Sequence, residues 1–446
     1  MAGNARARLE ELLASGQARL VPLTFPQREL WETAPVPPGD PSNNICALLD
    51  IRGPLTPELC REALGMVLAR QEALRTTILP GKTRPVQLVR ASAEPVLEQI
   101  ALPTGASGAE AAVAALAPLF ARPFDLVAGP LHRLIMVPDG PDHCFLGMVI
   151  HHSVADGWAL TTFVEDFMTG CIAAWRRSGK DMTRLQGLSE TLSPPPMTYS
   201  QWGAAERAQW TEKELAVRAE RWRSRLRDAE LFFDAAHPVA GEPLRRWETQ
   251  IPAATAESVR TLARKAGTTP FTALSAAFRL ALHRWKGKSD VVLGTPVAGR
   301  AKPSVRETIG YFSEVVPLRC RIDPSLGLSD LAPLVHEETL EDFARAMPFA
   351  ELVRAVEEAG AARRRHAVYD IRFAVQNHPF PDITVPGISA AFRNLSSGTS
   401  RFDLACEITG DTGQMEIVWL RRESVVEESD VRQLDALFRE VLAGAG

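Results

Sequence analysis

The chain has 446 residues and a mass of 48.7 kDa, more than one small core absorbs, so two or three domains are expected. Apolar residues make up 46% and charged residues 23%, ordinary globular values that argue against disorder or a fibrous repeat. Fifty Lys+Arg against 54 Asp+Glu leave a net charge of −4, without the cationic surplus that a non-specific nucleic-acid binder needs. Only seven of the cations are Lys, which reads as a coding bias and not as a binding signal.

Met1 to Leu20 alternates Arg and Glu with Leu and Ala, a short helix without the apolar region of a signal peptide. No run of about 18 apolar residues occurs anywhere, so no membrane span is expected. The six cysteines (46, 60, 144, 171, 320, 406) are scattered without a CxxC pair and are expected to be reduced thiols in a cytoplasmic protein. Thr56-Pro57 opens a helix whose apolar positions Leu59, Ala63, Met66, Val67 and Ala73 recur up to Leu74. Phe145 to Ile150 is a continuous apolar run that fits a buried strand, and a second helix runs from Trp158 to about Arg177.

Ser178 to Pro196 carries Gly179, Gly187 and three consecutive prolines without an apolar period, which marks a linker. Helices follow at about Trp202–Ala229 and from Thr269-Pro270, then strands at Asp290–Pro296 and Tyr369–Val375, and a last helix capped by Ser429. Strands and helices mix in both halves without strict alternation. The pattern predicts an α+β protein of two units, 1–180 and 197–446, joined by a linker at 181–196.

The segment His151-His152-Ser153-Val154-Ala155-Asp156-Gly157 follows the apolar strand. Histidine exchanges protons near neutrality. Neighbouring side chains on an extended segment face opposite ways, so the two rings cannot share a role. Asp156 is placed to cap the next helix or to pair with a buried cation, and Gly157 allows a tight turn. Three plainer readings compete: a structural His pair, a zinc site, and a Ser-His-Asp hydrolase. The other histidines (132, 143, 237, 283, 336, 366, 378) form no cluster at ligand spacing, and no GxSxG elbow occurs, which disfavours the last two.

His151 to Trp158 resembles the HHxxxDG motif of nonribosomal peptide synthetase condensation domains, relatives of chloramphenicol acetyltransferase. Further motifs of that family follow in family order. Residues 23–31 (LTFPQRELW) are similar to SxAQxRLW, 70–76 (RQEALRT) to RHExLRT apart from Gln71, and 199–202 (YSQW) to the motif after the linker. Residues 294–300 (GTPVAGR), 309–312 (IGYF), 347–353 (MPFAELV), 369–377 (YDIRFAVQN) and 401–404 (RFDL) resemble the later motifs, so the likeness spans about residues 20 to 440. Thr24 and Pro26 depart from the usual small residues, and Ser313-Glu314 from Val-Asn. The DxxxxD pattern of heterocyclising relatives and the EGHGR of epimerising ones are absent, the latter replaced by Pro296 to Arg300.

The resemblance implies two acetyltransferase-like lobes in a V, with a tunnel between them. It implies transfer of an acyl or aminoacyl group to an amine or hydroxyl. The donor would be a thioester on the 4'-phosphopantetheine arm of a partner carrier protein, with no cofactor or metal of the chain's own. The acceptor is a small molecule or a second carrier-bound unit; neither nucleic acid nor membrane is expected as partner. His152 takes the catalytic position and His151 a packing one. Asp156 pairs with an arginine, Arg300 first and Arg75 second, and the Gly157 amide faces the developing oxyanion. Trp158, Tyr311, Phe312, Asn377 and Ser397 are implied tunnel residues; Gly310, Phe312, Pro348 and Phe349 fit turn and core equally well, and Arg401 to Leu404 a segment crossing between lobes. The chain shows no adenylation or carrier domain, so a free-standing condensation enzyme is expected. An acyltransferase using acyl-coenzyme A and a catalytically silent recruitment platform are the alternatives.

Overall fold

A computed structural model describes residues 2–33, 39–81, 84–177, 192–233, 242–358, 368–376, 383–385, 387–395, 402–410 and 413–444. Among these, two six-stranded sheets and one of three strands organise the chain. The first runs Ile383–Val385, Ile388–Leu395, Asn44–Arg52, His143–His151, His132–Pro138 and Leu97–Gln99, antiparallel except for the last pair. The second runs Glu314–Arg321, Asp290–Val297, Ile371–Gln376, Leu404–Thr409, Met415–Arg422 and Leu244–Ile251, with Ile371–Gln376 parallel to both neighbours. Ala18–Pro22, Val86–Arg90 and Thr76–Leu79 form the small sheet.

Burial on both faces explains the continuous apolar run that ends in the His motif. Cys144, Leu146, Met148 and Ile150 enter the core shared with the helices Pro57–Arg70 and Gly157–Arg177. Phe145 and Val149 pack instead with Ala112, Leu116 and Phe120 of the helix Gly108–Phe120. A strand covered on both sides has no polar alternation to show. Gly147 lets that second helix close in, since a Cβ there would lie 2.7 Å from a Leu116 methyl.

Several elements differ from the sequence expectation. The first helix ends at Ala14, and Ala18–Pro22 is a strand. The Thr56-capped helix stops at Arg70, because Gln71 turns extended (φ −105°, ψ 100°) and Glu72–Arg75 follows as a 3-10 turn. The helix expected over 202–229 is two, Tyr199–Gln209 and Glu212–Leu226, since Thr211 and Glu214 form a new capping box. Sheet membership does not follow the division at 181–196: residues 383–385 and 388–395 pair in the first sheet, and Tyr199, Trp202, Ile309, Tyr311 and Phe312 belong to its core. Within the expected linker, 178–191 lie outside the described residues.

Candidate active site

The His143–His151 strand keeps its register to the end, with His151 opposite Asn44. His151 N–H donates to the Leu131 carbonyl (2.9 Å) and His152 N–H to that of Asn43 (2.7 Å), so both backbones are fixed before the chain turns. The two rings then part, as extended geometry requires. The His151 ring is buried, edge-on to Phe124, with Nδ1 2.8 Å from Ser153 Oγ and accepting the Ser153 amide at 3.2 Å. That amide leaves the proton of the neutral ring on Nε2. His152 is partly exposed, and its ring lies 4.4 Å centroid to centroid from Tyr311, at 62°.

Asp156 precedes the helix Gly157–Arg177 and caps it: Oδ1 accepts Ala159 N–H at 2.9 Å. Its carboxylate also gathers the loop between the strands Asp290–Val297 and Glu314–Arg321. Arg300 Nη2 donates to Oδ1 (3.1 Å), while Phe312 N–H (3.0 Å) and Ser313 Oγ (3.3 Å) reach Oδ2. Both Asp156 and Arg300 side chains are 1% exposed. Arg300 Nη1 donates to the Val305 and Thr308 carbonyls, and its guanidinium lies 4.0 Å over the Phe312 ring. Gly157 is the first residue of the helix, where backbone amides point toward incoming negative charge.

Arg75 is not a partner of Asp156. It ends the 3-10 turn, and its guanidinium is used by main-chain carbonyls, Leu68 (2.6 Å) and Ala91 (2.9 Å) among them. Phe312, fully buried between Trp202 and Tyr199, is core and not passage lining. Trp158 donates its indole N–H to the Arg306 carbonyl at 3.1 Å, which ties the helix to the same loop. Gly310 is small by need, since a Cβ would sit 2.3 Å from the Tyr199 ring. Phe349 is buried in the third core cluster. Asn377, Ser397 and Arg401 lie outside the described residues; Leu404 begins a strand of the second sheet.

A cavity of about 780 Å³ opens beside the motif. Leu23, Leu30, Trp31, Ile78, Phe124, His151 and Ser153 wall it, and all its lining residues come from before position 154. It therefore faces His151, expected to be a packing residue, and not His152. The His152 ring turns instead to the seam where the loop bearing Tyr311 meets the first sheet.

Three groups at this seam escaped sequence reasoning. Gln71 accepts Ile309 N–H (2.9 Å) and donates to Asp166 (2.8 Å) and to the Glu307 carbonyl (2.9 Å). Arg70 beside it holds Asp166 at 2.7 Å and Glu307 at 2.6 Å. Buried carboxyls also gather: Glu29 accepts the Tyr311 hydroxyl at 3.2 Å, with Glu206 and Glu314 close by. Burial pushes Glu206 up to about 7, and burial with the charges of Glu206 and Glu29 raises Glu314 well above the ordinary range. The one visible signal was the departure from the family motifs at Gln71 and Glu314.

The Condensation domain profile matches residues 17–445. The chain belongs to the condensation-domain family. It is 36% identical over 347 residues to phosphinothricin tripeptide synthetase PhsC of Streptomyces viridochromogenes, a match covering 75% of this chain and 30% of PhsC. The chain thus spans under a third of that relative. The first condensation domain of the CDA synthetase superposes with a TM-score of 0.77 at 21% identity, over 95% of this chain and 96% of that one. The X-domain of teicoplanin biosynthesis, solved in complex with OxyB, reaches 0.80 at 20% identity over 95% and 93%. These establish an acetyltransferase-like mixed α/β fold of the condensation-domain type. Among the described residues, no group of three or more His, Cys, Asp or Glu is arranged to hold a metal, and no helix is long and apolar enough to cross a membrane.

Proposed function

We propose that the protein joins a carrier-bound acyl or aminoacyl thioester to an amine or hydroxyl, as a condensation enzyme of nonribosomal peptide biosynthesis. The observation carrying this reading is the complete His151 to Gly157 motif at a strand end, with the His152 imidazole presented at the seam against Tyr311. An α-amino group titrates near about 8, so an amine acceptor needs placement more than deprotonation. His152 hydrogen-bonds the attacking N–H or O–H and takes its proton as the tetrahedral centre forms, which matters most for a hydroxyl. The Gly157 amide, at the positive end of its helix, faces the oxyanion. Asp156 and Arg300 touch no substrate; they hold the loop that supplies the opposite wall. The donor arrives on the phosphopantetheine arm of a carrier protein, and bringing two tethered reactants together supplies most of the rate enhancement. Six buried, free cysteines support a reducing, cytoplasmic setting.

The test is incubation of the protein with a carrier loaded with acyl thioester and a panel of amines and alcohols, read by mass spectrometry. Product that depends on His152, and persists in His151→Ala, supports the reading. Product lost only in His151→Ala moves the chemistry to the cavity side. Equal turnover with acyl-coenzyme A and no carrier favours the coenzyme-dependent alternative. Absence of product with every donor favours a recruitment platform, a reading prompted by the X-domain complex with OxyB.

A further inference from the structure

We infer that Tyr311 is a positioning residue for His152 and that Glu29 holds it there; this rests on the reading of His152 as the base. The terminal torsion of a histidine is broad, so a wall packed against the imidazole narrows the ring planes it samples. Tyr311 supplies such a wall, standing edge-on to the His152 ring at 4.4 Å. Tyr311 is itself immobilised from three directions. Its hydroxyl donates to Glu29 Oε2 (3.2 Å), its carbonyl accepts the Tyr199 hydroxyl (2.7 Å), and the amide of the next residue, Phe312, is held by Asp156 (3.0 Å). Tyr311 and Glu29 are 2% and 4% exposed, so the hydroxyl–carboxylate bond is shielded from competing water. Asp156 of the motif thus fixes the loop whose tyrosine aims the histidine of the same motif. Glu29 comes from the segment Glu29–Thr33 just after the helix Phe25–Arg28, so the aim is shared between the two parts of the chain.

A tyrosine that only fills space would give a different set of variants. Tyr311→Phe keeps the ring and loses the hydroxyl bond; kcat should fall about 2–10-fold with KM within about twofold, in proportion to one buried hydrogen bond. Tyr311→Leu removes the wall, and kcat should fall about 100-fold, the scale of a misplaced catalytic group. Glu29→Ala should behave like Tyr311→Phe, and Glu29→Gln, whose amide oxygen still accepts the hydroxyl, should lose less. The second readout does not depend on turnover: in histidine-labelled protein, the ring resonance that disappears in His152→Ala should shift in Tyr311→Leu and Glu29→Ala. Should Tyr311→Leu fold poorly, Tyr311→Phe and Glu29→Ala carry the comparison. A His152 resonance unmoved by these changes, or a lowered melting temperature with unchanged kcat, would overturn the inference. A wild-type protein without turnover, but with the resonance shift, would leave this geometry standing and remove the proposed function instead.

Discussion

Replacing Asp156 should cost stability, while replacing His152 should cost turnover. Asp156→Ala strands the Arg300 guanidinium, 1% exposed, with its partner gone. Removing one member of a buried pair typically costs about 3–5 kcal/mol. The same substitution deletes the helix cap on Ala159, commonly worth about 1 kcal/mol, and leaves the Phe312 amide without its acceptor. A net loss of about 4–5 kcal/mol follows once partial relaxation is allowed. At about 2–4 °C per kcal/mol for a cooperative unit of some 150–250 residues, Tm should fall by about 8–20 °C. Arg300→Met should cost a similar amount for the mirror-image reason. The double variant Asp156→Ala with Arg300→Met removes both charges, so its loss should be well below the sum of the single losses. His152→Ala keeps the backbone bond to Asn43 and truncates a ring that is partly exposed, so Tm should move by no more than about 2 °C. Thermal melts of wild type and the four variants, beside their turnover on one donor and acceptor, measure both halves. Additive losses in the double variant, or matching Tm losses for Asp156→Ala and His152→Ala, would refute the division of labour.

Three further outcomes are expected. Glu206 is raised from 4.5 to about 7 by burial, so its folded form holds a proton that the unfolded chain releases. Its contribution is full below about pH 4.5 and is lost as pH rises through about 7, a change of about 3 kcal/mol; urea midpoints of wild type and Glu206→Gln should diverge in favour of the variant between pH 5 and 8, and parallel curves would contradict the assignment. Gly147→Ala should cost about 1–3 kcal/mol by driving a Cβ to 2.7 Å from Leu116, and Leu116→Ala should restore part of that loss in the double variant, as denaturant midpoints will show. All six thiols should resist a thiol-reactive dye in native protein and react on unfolding, since they are buried and Cys46 is pushed up to about 12; one fast-reacting native thiol would count against this packing.

What the sequence revealed was local. The strand, the paired histidines on opposite faces and the aspartate that caps the next helix lie within a dozen residues, and each follows from a short-range rule. The Asp156–Arg300 pair was reachable because both positions fall in family motifs. Elements whose identity depends on distant partners were misread. The helix expected over 202–229 is two, and only the capping box at Thr211 and Glu214 records the break. Nothing in residues 388–395 says that they leave the second sheet to pair with Asn44–Arg52. Phe312 shows the limit in one residue: an aromatic beside a Gly reads equally as lining or as core, and the Arg300 guanidinium 4.0 Å above it decides for core.

Glu29 carries the same lesson into the site. A glutamate two residues before a tryptophan, beside an arginine, has the look of a solvated helix face, where nearly all glutamates belong. In the structure it accepts the Tyr311 hydroxyl, 282 positions away along the chain. That partner in turn stands where it does because Asp156, Tyr199 and Gly310 bring its loop onto the first sheet. A buried carboxylate without such a donor would be expelled or protonated. Glu29, Asp156 and Tyr199 thus each bond the loop that sets Tyr311 against the His152 ring, and none of the three stands near another in the sequence.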